Sequence, residues 1–208
     1  MKSAGMEFLG TFFLVLVIGL TVITPGAGPL APLAIGVMLM VMVYAGGHVS
    51  GAHYNPAVTV AVWLRGKCQA GDVPVYILAQ VVGAVAAALL VGWFKSGSPV
   101  AASPLDPIPA LLAEFLFTFA LAFVVLSVAT VKKAADNSYF GLAIGGTVMA
   151  AAYAAGPISG GAFNPAVAVG LTIMGLSAAS HLWIFLLGNV AGGALAALAF
   201  RATHPEES

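Results

Sequence analysis

Charge is what this sequence has least of. Only 7% of its 208 residues are Asp, Glu, Lys or Arg, and the seven basic residues balance the seven acidic ones. Soluble domains carry nearer a quarter of their residues charged. A net charge of zero leaves no electrostatic footprint for a nucleic-acid partner. Cysteine occurs once, at Cys68, so neither an internal disulfide nor a cysteine-rich metal site can form. His48 and His53 have no carboxylate or cysteine beside them in sequence, which argues against a metal site. Asp72, Asp106 and Asp136 all fall in polar connections, so a Ser/His/Asp arrangement has no support and no catalytic residue is assigned. Nothing calls for a cofactor. Long polar stretches are also missing, because apolar segments fill the chain from Phe8 to Phe200.

What is present is apolar: 61% of the residues are hydrophobic, and the mean hydropathy is +1.07. About twenty such residues cross a bilayer as helix. Six segments are predicted to do so: Gly5–Ile23, Pro32–Ala45, Val73–Phe94, Ile108–Val131, Tyr139–Ala155 and Ala179–Phe200. Lys2 before an apolar run has the look of a signal peptide, but Glu7 interrupts it and no cleavage site leads into a polar region, so it reads as the first span. Small residues inside the spans, such as Gly83 and Gly192, suit close helix packing in lipid.

The chain repeats itself. Asn55-Pro56-Ala57-Val58 returns as Asn164-Pro165-Ala166-Val167, 109 residues later. The same offset relates Ala34-Ile35-Gly36 to Ala143-Ile144-Gly145, and Val81 and Gly83 to Val190 and Gly192. Glu7-Phe8-Leu9 recurs at Glu114-Phe115-Leu116. Each half, about residues 1–95 and 108–208, holds three full spans plus a short apolar run opened by Asn-Pro. Three is odd, so the second half enters from the opposite face. The expected fold is therefore an all-α membrane protein: one domain, six transmembrane helices and two re-entrant half-helices in an inverted repeat. Placing both termini in the cytoplasm puts six basic residues inside and only Lys95 outside, a firm positive-inside bias. A cell (plasma or inner) membrane is the expected setting.

Two ten-residue helices laid end to end span about 30 Å, the thickness of the hydrocarbon core. Asn55 and Asn164 would cap them, Pro56 and Pro165 would take the first helical positions, and the amide NH₂ groups would be free to face a lumen. Two positive helix ends facing one point would repel cations and protons. The lead-in stretches Gly46–Tyr54 and Gly156–Phe163 are expected as non-helical backbone lining a wet cavity. Carbonyls of Gly51, Ala52 and His53, and of Ser159, Gly160 and Gly161, would form the polar wall. Glu7 and Glu114 are expected to hold loop N–H groups or a pore water. His48 is a possible lining residue, and His53 would contribute mainly its carbonyl.

These residues resemble the aquaporin, or major intrinsic protein, family over essentially the whole chain. The two Asn-Pro-Ala motifs, each in its repeat, and the paired Glu residues carry the resemblance. It implies a homotetramer in the bilayer with one pore per subunit, passing water or small neutral solutes. Half-helix dipoles are the known exclusion device of such pores. One departure stands out. The family usually has arginine three residues after the second Asn, and here that position is Val167. Counted as the family places them, the other filter positions are Ile35, Ala152 and Gly161. This set predicts a wide, apolar filter open to glycerol, urea, ammonia or metalloid acids as well as water. Two alternatives stay open: a water-selective channel constricted elsewhere, by Tyr44 or Tyr153, and a poorly conducting structural membrane protein. Cys68, on the cytoplasmic side, is not expected to mediate mercury block.

Overall fold

The computed structural model describes residues 1–207. Its elements are α1 (Lys2–Val22), α2 (Ala31–Ser50), α3 (Pro56–Leu64), α4 (Asp72–Phe94), α5 (Pro107–Ala129), α6 (Phe140–Ser159), α7 (Pro165–Ile173) and α8 (Leu182–Thr203). Short 3₁₀ turns cover Gly28–Leu30, Lys132–Ala134, Ala179–His181 and Pro205–Glu207. Six helices are long and apolar enough to cross a membrane; α3 and α7 are too short to do so.

The long helices pair as α1 with α4, α5 with α8, and α2 with α6. Two matched glycines allow the first two pairings. A β-carbon at Gly83 would run into the backbone of Phe8, and one at Gly192 into the backbone of Phe115. Without side chains there, the helix axes approach closely, which substitutes dispersion contacts for the hydrophobic drive that lipid does not provide. The half-helices cross over: α3 packs against α8 and α7 against α4, each on the last long helix of the other half.

The sequence ended α2 and α6 too early. Both continue as helix through the glycine-rich stretches, to Ser50 and Ser159. The physical reason lies in the final turn. Gly51 N–H closes on Gly47 O and Gly160 N–H on Gly156 O, and both capping glycines adopt the left-handed conformation (φ 84° and 88°). That is the usual helix stop, and it falls four residues beyond Gly47 and Gly156. Backbone at membrane depth stays helical until another partner takes its N–H groups.

One end of the bundle gathers Ser3 against Val49, Tyr76 against Ser50, Arg201 against Leu64, and Arg65 with Lys132 around Glu207. Lys95 lies at the other end, donating to the carbonyls of Ile23 and Pro25.

Candidate functional site

The half-helices meet at their N-termini. Asn55 Oδ1 accepts from the N–H of Ala57 (2.9 Å) and Val58, and Asn164 Oδ1 accepts from Ala166 (2.9 Å) and Val167. Both caps have extended backbone, and proline follows each at a position whose N–H would have no partner. The amide nitrogens are less free than expected. Asn55 Nδ2 donates to Phe163 O and Asn164 Nδ2 to Tyr54 O, each at 2.8 Å. Each NH₂ has two hydrogens, so one is spent on the opposite loop and one remains.

Between helix end and cap, the chain runs for only a few residues without helix. Tyr54 and Phe163 have φ of 49° and 48°, and Ala52 has φ of 53°. Left-handed backbone at non-glycine residues is strained, at about 1–3 kcal/mol each, and persists only where surroundings over-determine it. Here two fully buried carboxylates do so. Glu7 Oε1 accepts from Ser50 Oγ (2.6 Å) and His53 N (3.0 Å), and Oε2 from Tyr54 N (2.6 Å) and Gln80 Nε2 (2.7 Å). Glu114 repeats the set with Ser159 Oγ (2.7 Å), Ala162 N (3.0 Å), Phe163 N (2.7 Å) and Asn189 Nδ2 (2.7 Å). Four donors per carboxylate account for both oxygens, and neither Glu lines a cavity.

Two cavities flank this junction. The first, about 270 Å³, is lined by Ile35, Ala152, Gly161 and Val167 together with Asn55, Asn164, His53, Ser159 and Gly160. No Asp, Glu, Lys or Arg lines it; Leu14, Ile18, Leu121 and Phe185 add to an apolar wall. The second, about 470 Å³, lies at the charged end of the bundle and is lined by Gly51, His53, Lys67, Cys68, Asp72 and Tyr76 among others. His53 belongs to both.

Several expected wall residues lie elsewhere. His48 is exposed on the last turn of α2 and lines neither cavity, because the helix continues and carries it outward. Ala52 lines neither cavity: it is buried, its N–H is turned onto Ser50 Oγ, and its side chain packs in the core. Pro56, Ala57, Pro165 and Ala166 are buried in the caps and line nothing. The two tyrosines of the alternative constriction lie on the outside of the bundle. Tyr44 is 38% exposed, donating to Ser138 O and accepting from Leu142 N, and Tyr153 is 50% exposed; neither reaches a cavity, whereas Ala152 does. Cys68 lines the second cavity.

The sequence reading missed Gln80, Asn189 and Thr59. Gln80 and Asn189 stand 109 residues apart, immediately before Val81 and Val190, so the repeat offset was the one signal that could have found them. Thr59 has no such signal, since its counterpart is Ala168.

The sequence profile of the family described as "Major intrinsic protein" matches residues 1–200. "Aquaporin NIP1-4" of Oryza sativa subsp. japonica is 41% identical over 204 residues, covering 93% of this chain and 74% of that protein. "Glycerol uptake facilitator protein-like 6" of Lactiplantibacillus plantarum is 37% identical with both chains covered in full. The crystal structure of an aquaglyceroporin from Plasmodium falciparum superposes with a TM-score of 0.79 over 99% of this chain and 98% of that one, at 20% identity.

Proposed function

The chain belongs to the major intrinsic protein family, a family of membrane channels rather than enzymes, and from that premise we propose that it passes water and small neutral solutes passively in both directions, one pore to each subunit. The observation that carries this reading is the first cavity. Its walls carry no Asp, Glu, Lys or Arg from the four filter positions to the paired asparagines, and polarity there comes from backbone groups, the asparagine amides, the His53 ring and a few serines. With Val167 in place of a cation, the filter (Ile35, Ala152, Gly161, Val167) tolerates solutes larger than water, of the glycerol or urea class. The facilitator relative named for glycerol uptake supports that choice. The remaining N–H of Asn55 and of Asn164, with the positive ends of α3 and α7 behind them, favours a solute oxygen and opposes a proton or metal cation.

The two repeats act as one channel domain, because each half supplies a long helix on which the other's half-helix rests. We place both termini in the cytoplasm of a cell membrane, on the ground that Lys2, Arg65, Lys67, Lys132, Lys133 and Arg201 share one bundle end. Homotetrameric assembly follows the family resemblance, and the outer faces that carry Leu89, Leu116 and Leu198 are exposed for lipid or neighbouring subunits.

Stopped-flow light scattering of proteoliposomes tests the proposal. Shrinkage in an impermeant osmolyte and fast reswelling in glycerol are expected. Shrinkage without reswelling would restrict the pore to water, and no flux above bare lipid would overturn it.

A further inference from the structure

His53 is the ring shared by both cavities, and its two nitrogens have different surroundings. Nδ1 is turned into the protein, 3.2 Å from Thr59 Oγ1. Nε2 makes no hydrogen bond among the described residues and keeps accessible surface. It lies beside Gly51, where an added β-carbon would meet it at 3.3 Å, so residue 51 places no side chain between it and the second cavity; the Tyr76 ring packs against the imidazole at 5.2 Å between centroids.

Thr59 determines what Nδ1 can be. A threonine hydroxyl has one hydrogen and two lone pairs. Its Oγ1 donates to Asn55 O, the cap residue one turn back, at 3.0 Å between heavy atoms, and one lone pair accepts from Gln80 Nε2 at 3.0 Å. Gln80 cannot turn its amide round, because the same nitrogen donates to the Glu7 carboxylate. With those two bonds made, the hydroxyl has only an acceptor left for His53, and Nδ1 carries the proton. Nε2 then presents a lone pair to the lumen.

We infer that Thr59 is a positioning residue, which holds neutral His53 in the Nδ1–H tautomer so that Nε2 serves as a hydrogen-bond acceptor at the boundary of the two cavities and favours solutes that donate hydrogen bonds. The inference rests on the channel reading above and adds a polar selectivity element to it. Its logic is complementarity. The asparagine N–H groups draw a solute's oxygen toward the junction, which points the solute's hydrogens away and requires acceptors there. In the opposite tautomer, Nε2–H would face those hydrogens and repel them. The element is one-sided: Ala162 and Ala168 occupy the matching places in the second half.

The test joins spectroscopy with flux. ¹⁵N-histidine NMR of the full-length protein in lipid is recorded above the ordinary histidine pKa of about 6.5, with His53 assigned by its loss in His53→Gln. Nε2 is expected to be the bare nitrogen in the unmodified protein and in Thr59→Ser. In Thr59→Val the proton is expected to move to Nε2. Water and glycerol permeabilities of Thr59→Val are expected to fall about threefold below those of Thr59→Ser, the scale of one weak neutral hydrogen bond. A bare Nδ1 in the unmodified protein, or a ring protonated on both nitrogens, overturns the tautomer assignment. Equal permeabilities in the two variants overturn the selectivity role. Absence of flux in every variant would strike the channel reading, while the NMR result would still decide the tautomer.

Discussion

Asn55 and Asn164 secure each other's lead-in loops: the amide of Asn55 is bonded to the carbonyl of Phe163, and that of Asn164 to the carbonyl of Tyr54. Each asparagine thus caps its own half-helix and ties down the residue preceding the other cap. Asn164→Ala removes both functions. A cost of about 2 kcal/mol is expected, one N-cap plus one neutral hydrogen bond. A lowered thermal midpoint in detergent checks this, and a proton leak in liposomes under a pH gradient is expected with it.

Val167→Arg places a cation and a long side chain in the first cavity, at the proposed filter. Glycerol permeability is expected to fall on the order of tenfold, or ~1.4 kcal/mol of barrier, with a smaller loss for water. Paired stopped-flow traces decide it: equal loss of both, or loss of neither, contradicts the assignment of these four residues as the filter.

Glu7→Gln and Glu114→Gln replace an acceptor oxygen by an NH₂ group that faces donors on every side. Each is expected to cost about 2–3 kcal/mol, the value of a hydrogen bond to a charged group. The left-handed residues each carboxylate holds would then relax, so hydrogen exchange at His53 and Tyr54, or at Ala162 and Phe163, is expected to accelerate in the matching variant.

Cys68 gives a pH-dependent handle. Burial is the main cause that pushes its thiol above the ordinary range, with the nearby charges of Asp72 and Glu7 adding to the effect. The thiolate is the reactive form, so labelling is expected to be slow at neutral pH and to accelerate as pH rises through and beyond the usual thiol range. A bulky maleimide reaching this end of the bundle is expected to reduce flux through the cavity that Cys68 lines, and Cys68→Ser is expected to abolish the effect.

The features that could be read from the sequence were local or repeated ones. Asn-Pro announces a cap and a first turn from its own chemistry, and an offset of 109 residues carries a role from one half to the other. The proposed filter positions Ile35, Ala152, Gly161 and Val167 rest on the family resemblance, counted from the two asparagines, and all four line the first cavity. The exact helix ends could not be read, since several successive glycines offer alternative stops and the deciding partner, Glu7 or Glu114, is far away in sequence. The same ambiguity hides that His48 rides outward on the last turn of α2. The buried Arg65–Glu207 pair, 3.3 Å apart, joins a half-helix to the far end of the chain, with Arg65 also lying over the Phe200 ring; no local signal marks it.

The exchange of half-helices between the two repeats has a consequence for biosynthesis. α3 rests against α8, which the ribosome makes last. Until then, the short helix lacks its seat, and its capping asparagine lacks the carbonyl of Phe163. A nascent first half therefore cannot reach its final form in the bilayer, and the seat of α3 is completed only after α8 has been made. Variants that weaken α8 near Gly193, which faces the backbone of Ala57, will show their defect as failed membrane assembly before they show it as altered permeation.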